Sequence, residues 1–287
     1  MNRLRILLAT IWLCLAVTGH ALPLWELEGT HNRIVILGSV HFLRAEDAPL
    51  PEAIARVYAD ADVIVFEVDL GRLDPLEIQS VLARLALDAE GRDLEDILGH
   101  QDYRTAAQLA AGVDIDLNTL RPYEPWYAAL QITQLRLLQL GFDGSFGVET
   151  QMTLKAVADG KPIVGLESLE EQFGALDSLP ATAQRVFLMQ TLEDAGTISE
   201  ELDTIVAAWK AGDMATLEQT LMAGLEDQQA LRESVLVQRN RNWTRQIIEF
   251  TKQSRDYLII VGALHLVGED SVIRMLEEAG ISSRRIH

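Results

Sequence analysis

Two histidines occupy matching frames at opposite ends of the chain. The first frame reads Ile34-Val35-Ile36-Leu37-Gly38-Ser39-Val40-His41-Phe42-Leu43; the second reads Leu258-Ile259-Ile260-Val261-Gly262-Ala263-Leu264-His265-Leu266-Val267. Each copy runs four aliphatics, a glycine, a small residue, an aliphatic, a histidine and two apolar residues. Each is followed by Glu-Asp, at Glu46-Asp47 and Glu269-Asp270, and then by a helical pattern. Imidazole changes charge between about pH 5 and 8, so it serves as acid, base or metal ligand. A lone histidine beside an apolar run is usually structural, but two in equivalent frames point to a site. His20, His31, His100 and His287 lack that context.

Carboxylates stand where they could join these imidazoles. Glu67 and Asp69 close the run Val63-Ile64-Val65-Phe66, and Glu167 closes Pro162-Ile163-Val164-Gly165-Leu166. Acidic groups at the ends of buried strands are costly unless paired or liganded. Glu67 and Glu167 are therefore expected in the site, while Asp69 divides evenly between that role and a turn or helix cap. Convergent imidazoles and carboxylates suit a divalent ion such as zinc, manganese or cobalt.

The elements that must position these groups are strands and helices in alternation. Aliphatic runs predict strands at 24–27, 33–38, 62–68, 162–166 and 257–261, with a further one at 283–287. Helical spacing recurs from Ile78 to Leu85 and at 103–111, 126–140, 150–159, 181–192, 200–211 and 228–252. Asp213 reads as the N-cap of a helix from Met214 to Ala223. The two histidine frames thus open two β-loop-α-β units. The fold class is α/β: a central, mostly parallel or mixed sheet flanked by helices. Two pseudo-symmetric βαβ-type halves enclose a helical insertion. Ligands bind beyond the carboxyl ends of parallel strands, so His41 and His265 should overhang that edge and converge if the halves pair about a twofold.

The N-terminus predicts export. Arg3 and Arg5 precede an apolar run from Ile6 to Val17 and a small-residue ending at Ala21, the layout of a cleavable signal. Residues 1–21 are read as that signal and 22–287 as the α/β domain, giving a periplasmic or secreted protein with no stable membrane anchor. Cys14 falls inside the signal, so the mature chain has no thiol chemistry or disulfide. The net charge of -19 repels phosphate backbones, and nucleic acid is not an expected partner.

The ordered set of short motifs resembles the TraB/GumN family, which includes the TIKI metalloproteases. Gly38-Ser39-Val40-His41, Phe66-Glu67-Val68-Asp69, Pro125-Trp126, Gly147-Val148-Glu149, Lys161 to Glu167 with Gln172, Arg239-Asn240 and Gly262-Ala263-Leu264-His265 carry the likeness. Each motif alone is weak; their order along almost the whole mature chain is specific. The resemblance implies one α/β domain with its active site between the two Gly-x-x-His elements. In TIKI-like members that site is a metal-dependent peptidase without the His-Glu-x-x-His helix, and this chain lacks that motif too.

Carried across, His41 and His265 become catalytic or metal-binding residues with Glu67 as carboxylate partner. Glu149, Glu167, Arg239 and Asn240 line the site. Proteins of this type commonly carry aspartate at position 149, where this chain has glutamate. The expected reaction is metal-assisted hydrolysis of a peptide or protein, with Glu67 or Glu167 taking a proton and Arg239 stabilising the oxyanion. Two other readings stay open: a metal-free hydrolase resembling erythromycin esterases, with histidine as general base, and a non-catalytic envelope protein that binds peptide or polysaccharide.

Overall fold

The structure, a computed structural model, describes residues 22–286; the segment read as a signal, His20 and His287 lie outside them. Six strands form one sheet: β1 (Leu24–Leu27), β2 (Ile34–Ser39), β3 (Val63–Phe66), β4 (Ile163–Gly165), β5 (Tyr257–Gly262) and β6 (Ser283–Arg285). Their order is β4-β3-β5-β2-β1-β6. The pairs β3/β4, β3/β5 and β2/β5 are parallel, while β1 is antiparallel to both β2 and β6. The sheet is therefore mixed, with β1 alone reversed.

The two histidine-bearing strands lie side by side. Ile34 pairs with Tyr257 and Ser39 with Gly262, so the repeated frames are out of step by one residue. All residues of β2 and β5 are buried, as expected of strands covered on both faces. Val35, Leu37, Leu258 and Ile260 pack with the Glu52–Asp60 helix on one face. Ile34, Ile36, Ile259 and Val261 pack with the Val272–Glu278 and Gln238–Phe250 helices on the other. The crossover helices of the two halves thus cover opposite faces, which is what a twofold running along the strands requires. The symmetry is broken by β1: the first crossover passes one strand, β5, whereas the second passes β2 and β1 before reaching β6.

The helical insertion divides in two. Its outer part has its own core, where Ala128, Ala129 and Ile132 of the Pro125–Gln139 helix meet Leu188 and Leu192 of the Ala181–Asp194 helix. Its later part, Ile198–Ala211 and Met214–Ala223, packs on the sheet's first face through Val206, Trp209 and Leu217. The Trp209 indole donates to the Gly38 carbonyl at 2.8 Å, fixing that helix over the end of β2. The span 228–252 is not one regular helix. Short α-helix (Gln229–Arg232) gives way to π-helix (Glu233–Val237) before Gln238–Phe250. Among the described residues, no helix is long and apolar enough to cross a membrane.

Candidate active site at the carboxyl edge of the sheet

All seven singled-out residues meet at the carboxyl edge of β2, β3, β4 and β5. His41 lies just past β2, Glu67 directly after β3 and Glu167 two residues past β4, while His265 sits in the 3-10 turn Ala263–Leu266 after β5. Glu149 arrives from the first turn of the Val148–Asp159 helix, and Arg239 and Asn240 from the first turn of Gln238–Phe250.

His41 is braced from behind. The Val148 N–H donates to the Val40 carbonyl at 3.1 Å, and Gly147 approaches the His41 carbonyl so closely that any Cβ there would overlap it. A larger residue at 147 would push the helix, and Glu149 with it, away. At the present distance the Glu149 Oε1 is 2.9 Å from His41 Nδ1 and also accepts from the buried Ser39 hydroxyl. Its Oε2 is buried without a hydrogen-bond partner among the described residues. The Glu149 carboxylate, through charge and hydrogen bond, pushes His41 up to about 9. Solvent reaches 54% of the His41 side chain, and screening by water works against that shift. The Nε2 edge is turned to the cavity: a Cβ at Gly262 would lie 3.2 Å from it and 3.3 Å from Glu67 Oε1.

His265 is held quite differently. Asn240 donates its Nδ2 to the Asp270 carbonyl at 2.7 Å, which turns its Oδ1 to His265 Nδ1 at 2.6 Å. The proton therefore sits on Nδ1, and Nε2 faces the Arg239 guanidinium at 3.3 Å. The ring packs on Trp243 with centroids 4.4 Å apart, and only 6% of the side chain is exposed. Burial pushes its pKa down to about 3, so the imidazole is neutral at neutral pH.

Arg239 ties the carboxylates together. Its Nη2 reaches Glu67 Oε2 at 2.7 Å and Glu167 Oε1 at 2.6 Å; its Nε meets both Glu167 oxygens at 3.1 Å. Its Nη1 donates to the Val235 carbonyl at 3.0 Å and faces His265. These contacts occupy the guanidinium's fork of donors, so Arg239 acts on a reaction by charge and leaves no N–H for an oxyanion in this arrangement. Burial acts to raise Glu67, but His265, His41, Arg239 and the Gly262 N–H at 2.7 Å outweigh it and hold the carboxyl down to about 2. Since His265 is neutral at neutral pH, His41 and Arg239 supply the positive charge there. Glu167 moves the other way, raised by burial and opposed by Arg239; Trp243 Nε1 donates to its Oε2 at 3.2 Å.

The expected metal set of His41, Glu67 and His265 does not fit an ion in this arrangement. Both Glu67 oxygens accept protein donors, with Gln172 Nε2 a further one at 3.2 Å. Both His265 nitrogens are engaged, which leaves His41 Nε2 as the one open donor of the set. Among the described residues, no group of three or more His, Cys, Asp or Glu side chains could hold a metal. Asp69 proves to be a cap: the chain turns after Phe66, and the Asp69 carboxylate accepts from the Gly71 N–H at 3.1 Å. Trp126 is fully buried and packs in the core beside Phe173.

Two cavities flank the Arg239 layer. One, of about 400 Å³, contains His41, Glu67 and His265. The other, of about 650 Å³, lies against Glu167, Trp243 and Arg245 and includes neither histidine. The smaller is the one equipped for acid–base chemistry, because of the two only it places an open imidazole beside a buried carboxylate. Sequence reasoning assigned no role to Ser39, Gln172 or Trp243. Trp243 had a signal, since it falls one helical turn after Arg239 and Asn240 on the same face.

A doubly covered mixed sheet with acid–base side chains gathered at its carboxyl edge defines an α/β protein with a preformed polar site. The chain belongs to the TraB/PrgY/gumN family, which it matches over residues 23–285. It is 25% identical over 269 residues to the uncharacterized protein YbaP of Escherichia coli strain K12, and equally so to that of Shigella flexneri. Each match covers 93% of this chain and 97% of the relative. No solved structure matches it.

Proposed function

We propose that this protein is an exported hydrolase in which His41 is the general base, acting on an amide or ester carbonyl, with peptides the first substrates to try. The observation that carries this reading is the His41–Glu149 contact of 2.9 Å behind an imidazole whose other nitrogen opens onto a cavity. A carboxylate on Nδ1 fixes the tautomer and steadies the imidazolium, leaving Nε2 free to take a proton. The one hydroxyl of a serine in the cavity lining, that of Ser39, is spent on Glu149, so water is the nucleophile. His41 Nε2 removes its proton as the oxygen attacks the carbonyl carbon. The imidazolium then returns that proton to the leaving nitrogen or oxygen as its bond to carbon breaks. Arg239 offsets the developing negative charge from a distance.

Charge favours a second reading. With His41 neutral, Glu67, Glu149 and Glu167 outnumber Arg239, and a divalent cation such as manganese, cobalt or zinc would relieve the excess. It would have to displace donors from Glu67.

The deciding experiment uses the mature protein, His41→Ala and Glu149→Gln in an amide and ester hydrolysis screen, with metal content measured alongside. Turnover lost with His41→Ala, and no bound metal, supports the general-base reading. Stoichiometric metal lost with His41→Ala supports the second. Wild-type turnover that survives His41→Ala would overturn both. N-terminal sequencing of exported material tests cleavage after Ala21.

A further inference from the structure

The cavity beside His41 has two unlike walls. One is the polar edge just described. The other is made of Phe42, Leu137, Leu202, Ile205, Leu221 and Leu264. Phe42, Leu202, Ile205 and Leu221 are only partly buried even though they pack against the main core. Leu202 and Ile205 lie one helical turn apart in Ile198–Ala211, a helix anchored over the site by the bond from Trp209 to Gly38. Apolar surface left open within a concavity beside reactive groups is surface that a ligand can cover. A cavity of about 400 Å³ is of the size that takes a compact organic group.

Charge sets the other half of the specificity. Glu67 lines the reacting end, Glu149 backs His41 and Glu167 lies behind Arg239, and the Arg239 donors are committed to protein partners. With His41 neutral, the form that acts as base, an anionic group there would meet repulsion and find no free cationic donor, since the guanidinium's N–H groups are already committed.

We infer that the site takes an uncharged amide or ester with a medium-length or branched apolar group seated against Leu202 and Ile205. Anionic substrates are excluded. For its kinetics the inference rests on the hydrolase reading; for binding it stands without it.

The test has a kinetic and a binding arm, both on the mature protein. Across p-nitrophenyl acetate, butyrate and hexanoate, kcat/KM should rise about threefold to fourfold per methylene, the worth of burying each CH₂. The hexanoate-to-acetate ratio should collapse in Ile205→Trp and, independently, in Leu202→Trp, with thermal melts showing that each variant is folded. In the binding arm the neutral dye Nile red is displaced by N-hexylacetamide, and both variants should weaken that displacement tenfold or more. Above pH of about 9, where His41 is neutral, hexanoate, an anion of the same length, should displace at least tenfold less well than the amide.

Hydrolysis with no chain-length dependence would overturn the apolar site and leave the hydrolase reading intact. Absence of hydrolysis with amide binding that both variants weaken would overturn the hydrolase and keep the site. Equal displacement by hexanoate would overturn the exclusion of anions.

Discussion

The same sequence frame, a strand ending in Gly-x-x-His, produces an open histidine in one half of the molecule and a locked one in the other. His41 follows β2, where the insertion and the Val148–Asp159 helix leave a cavity on one side, and it touches only Glu149 through Nδ1. His265 follows β5, where the Gln238–Phe250 helix closes down, and it is pinned by Asn240, Arg239 and Trp243. One half holds the open imidazole and the other holds the frame around it. A repeat read from sequence therefore assigns two residues to one site without assigning them one job.

Five measurements would sharpen or break that division. The largest effect is expected at Arg239. Arg239→Ala leaves Glu67 and Glu167 buried without their shared cation, and the loss of stability should be about 3–5 kcal/mol in urea denaturation. A loss below about 1 kcal/mol would mean the layer is solvated and not a frame. His41→Ala should lower kcat/KM by about 10²–10⁴ with a smaller loss of stability, about 1 kcal/mol, because it leaves the buried Glu149 carboxylate with Ser39 alone. His265→Ala should show the opposite balance. It costs about 1–3 kcal/mol by stranding the Asn240 oxygen, with the smaller share of its effect in catalysis once the variant is folded. If the two alanine variants behave alike, the comparison fails.

The smallest effects concern pH. The Glu149 carboxylate raises His41, so activity that needs neutral His41 should climb towards pH of about 9. Glu149→Gln removes the raising charge and should shift that rise down towards the ordinary histidine range near about 6.5, besides lowering the maximum. His265 gives a stability effect of known sign. Its folded pKa of about 3 lies below its unfolded value, so the unfolded chain binds the extra proton between those values. Stability should therefore be full above the unfolded pKa and fall as the solution is acidified towards 3. His265→Asn should flatten that part of the acid denaturation curve; an unchanged slope would show that the ring is protonated in place.

Most of the site was legible because strand ends are. Val63–Phe66 and Ile163–Gly165 are short aliphatic runs, and the acids after them had nowhere to go but the sheet edge. Glu149, Arg239 and Asn240 came only through family resemblance. Nothing in a helical segment announces which sheet edge its first turn will reach, because that depends on packing far along the chain. Asp69 stayed divided between site and cap because strand alternation would carry it to the face of Glu67 only while the strand continues, and β3 stops at Phe66. The order of the strands was out of reach for a similar reason. The reversed β1 between β2 and β6 is decided by which edge is left uncovered. The helix at Leu94–Leu98 has fewer turns than a periodic pattern needs.

The π-turn at Glu233–Val237 shows what this helix has been wound for. Its carbonyl at Val235 accepts from Arg239, and Ser234 and Val235 face different cavities. Such a turn holds one residue more than a regular helix would. Deleting one residue from it would yield a smoother helix with better internal hydrogen bonds, while swinging everything downstream by about 100° around the axis. Arg239, Asn240 and Trp243 would leave the site together. The irregularity behaves like a spacer that keeps a gear in mesh: the segment gives up its own regularity so that three side chains stay in phase with a sheet they do not belong to.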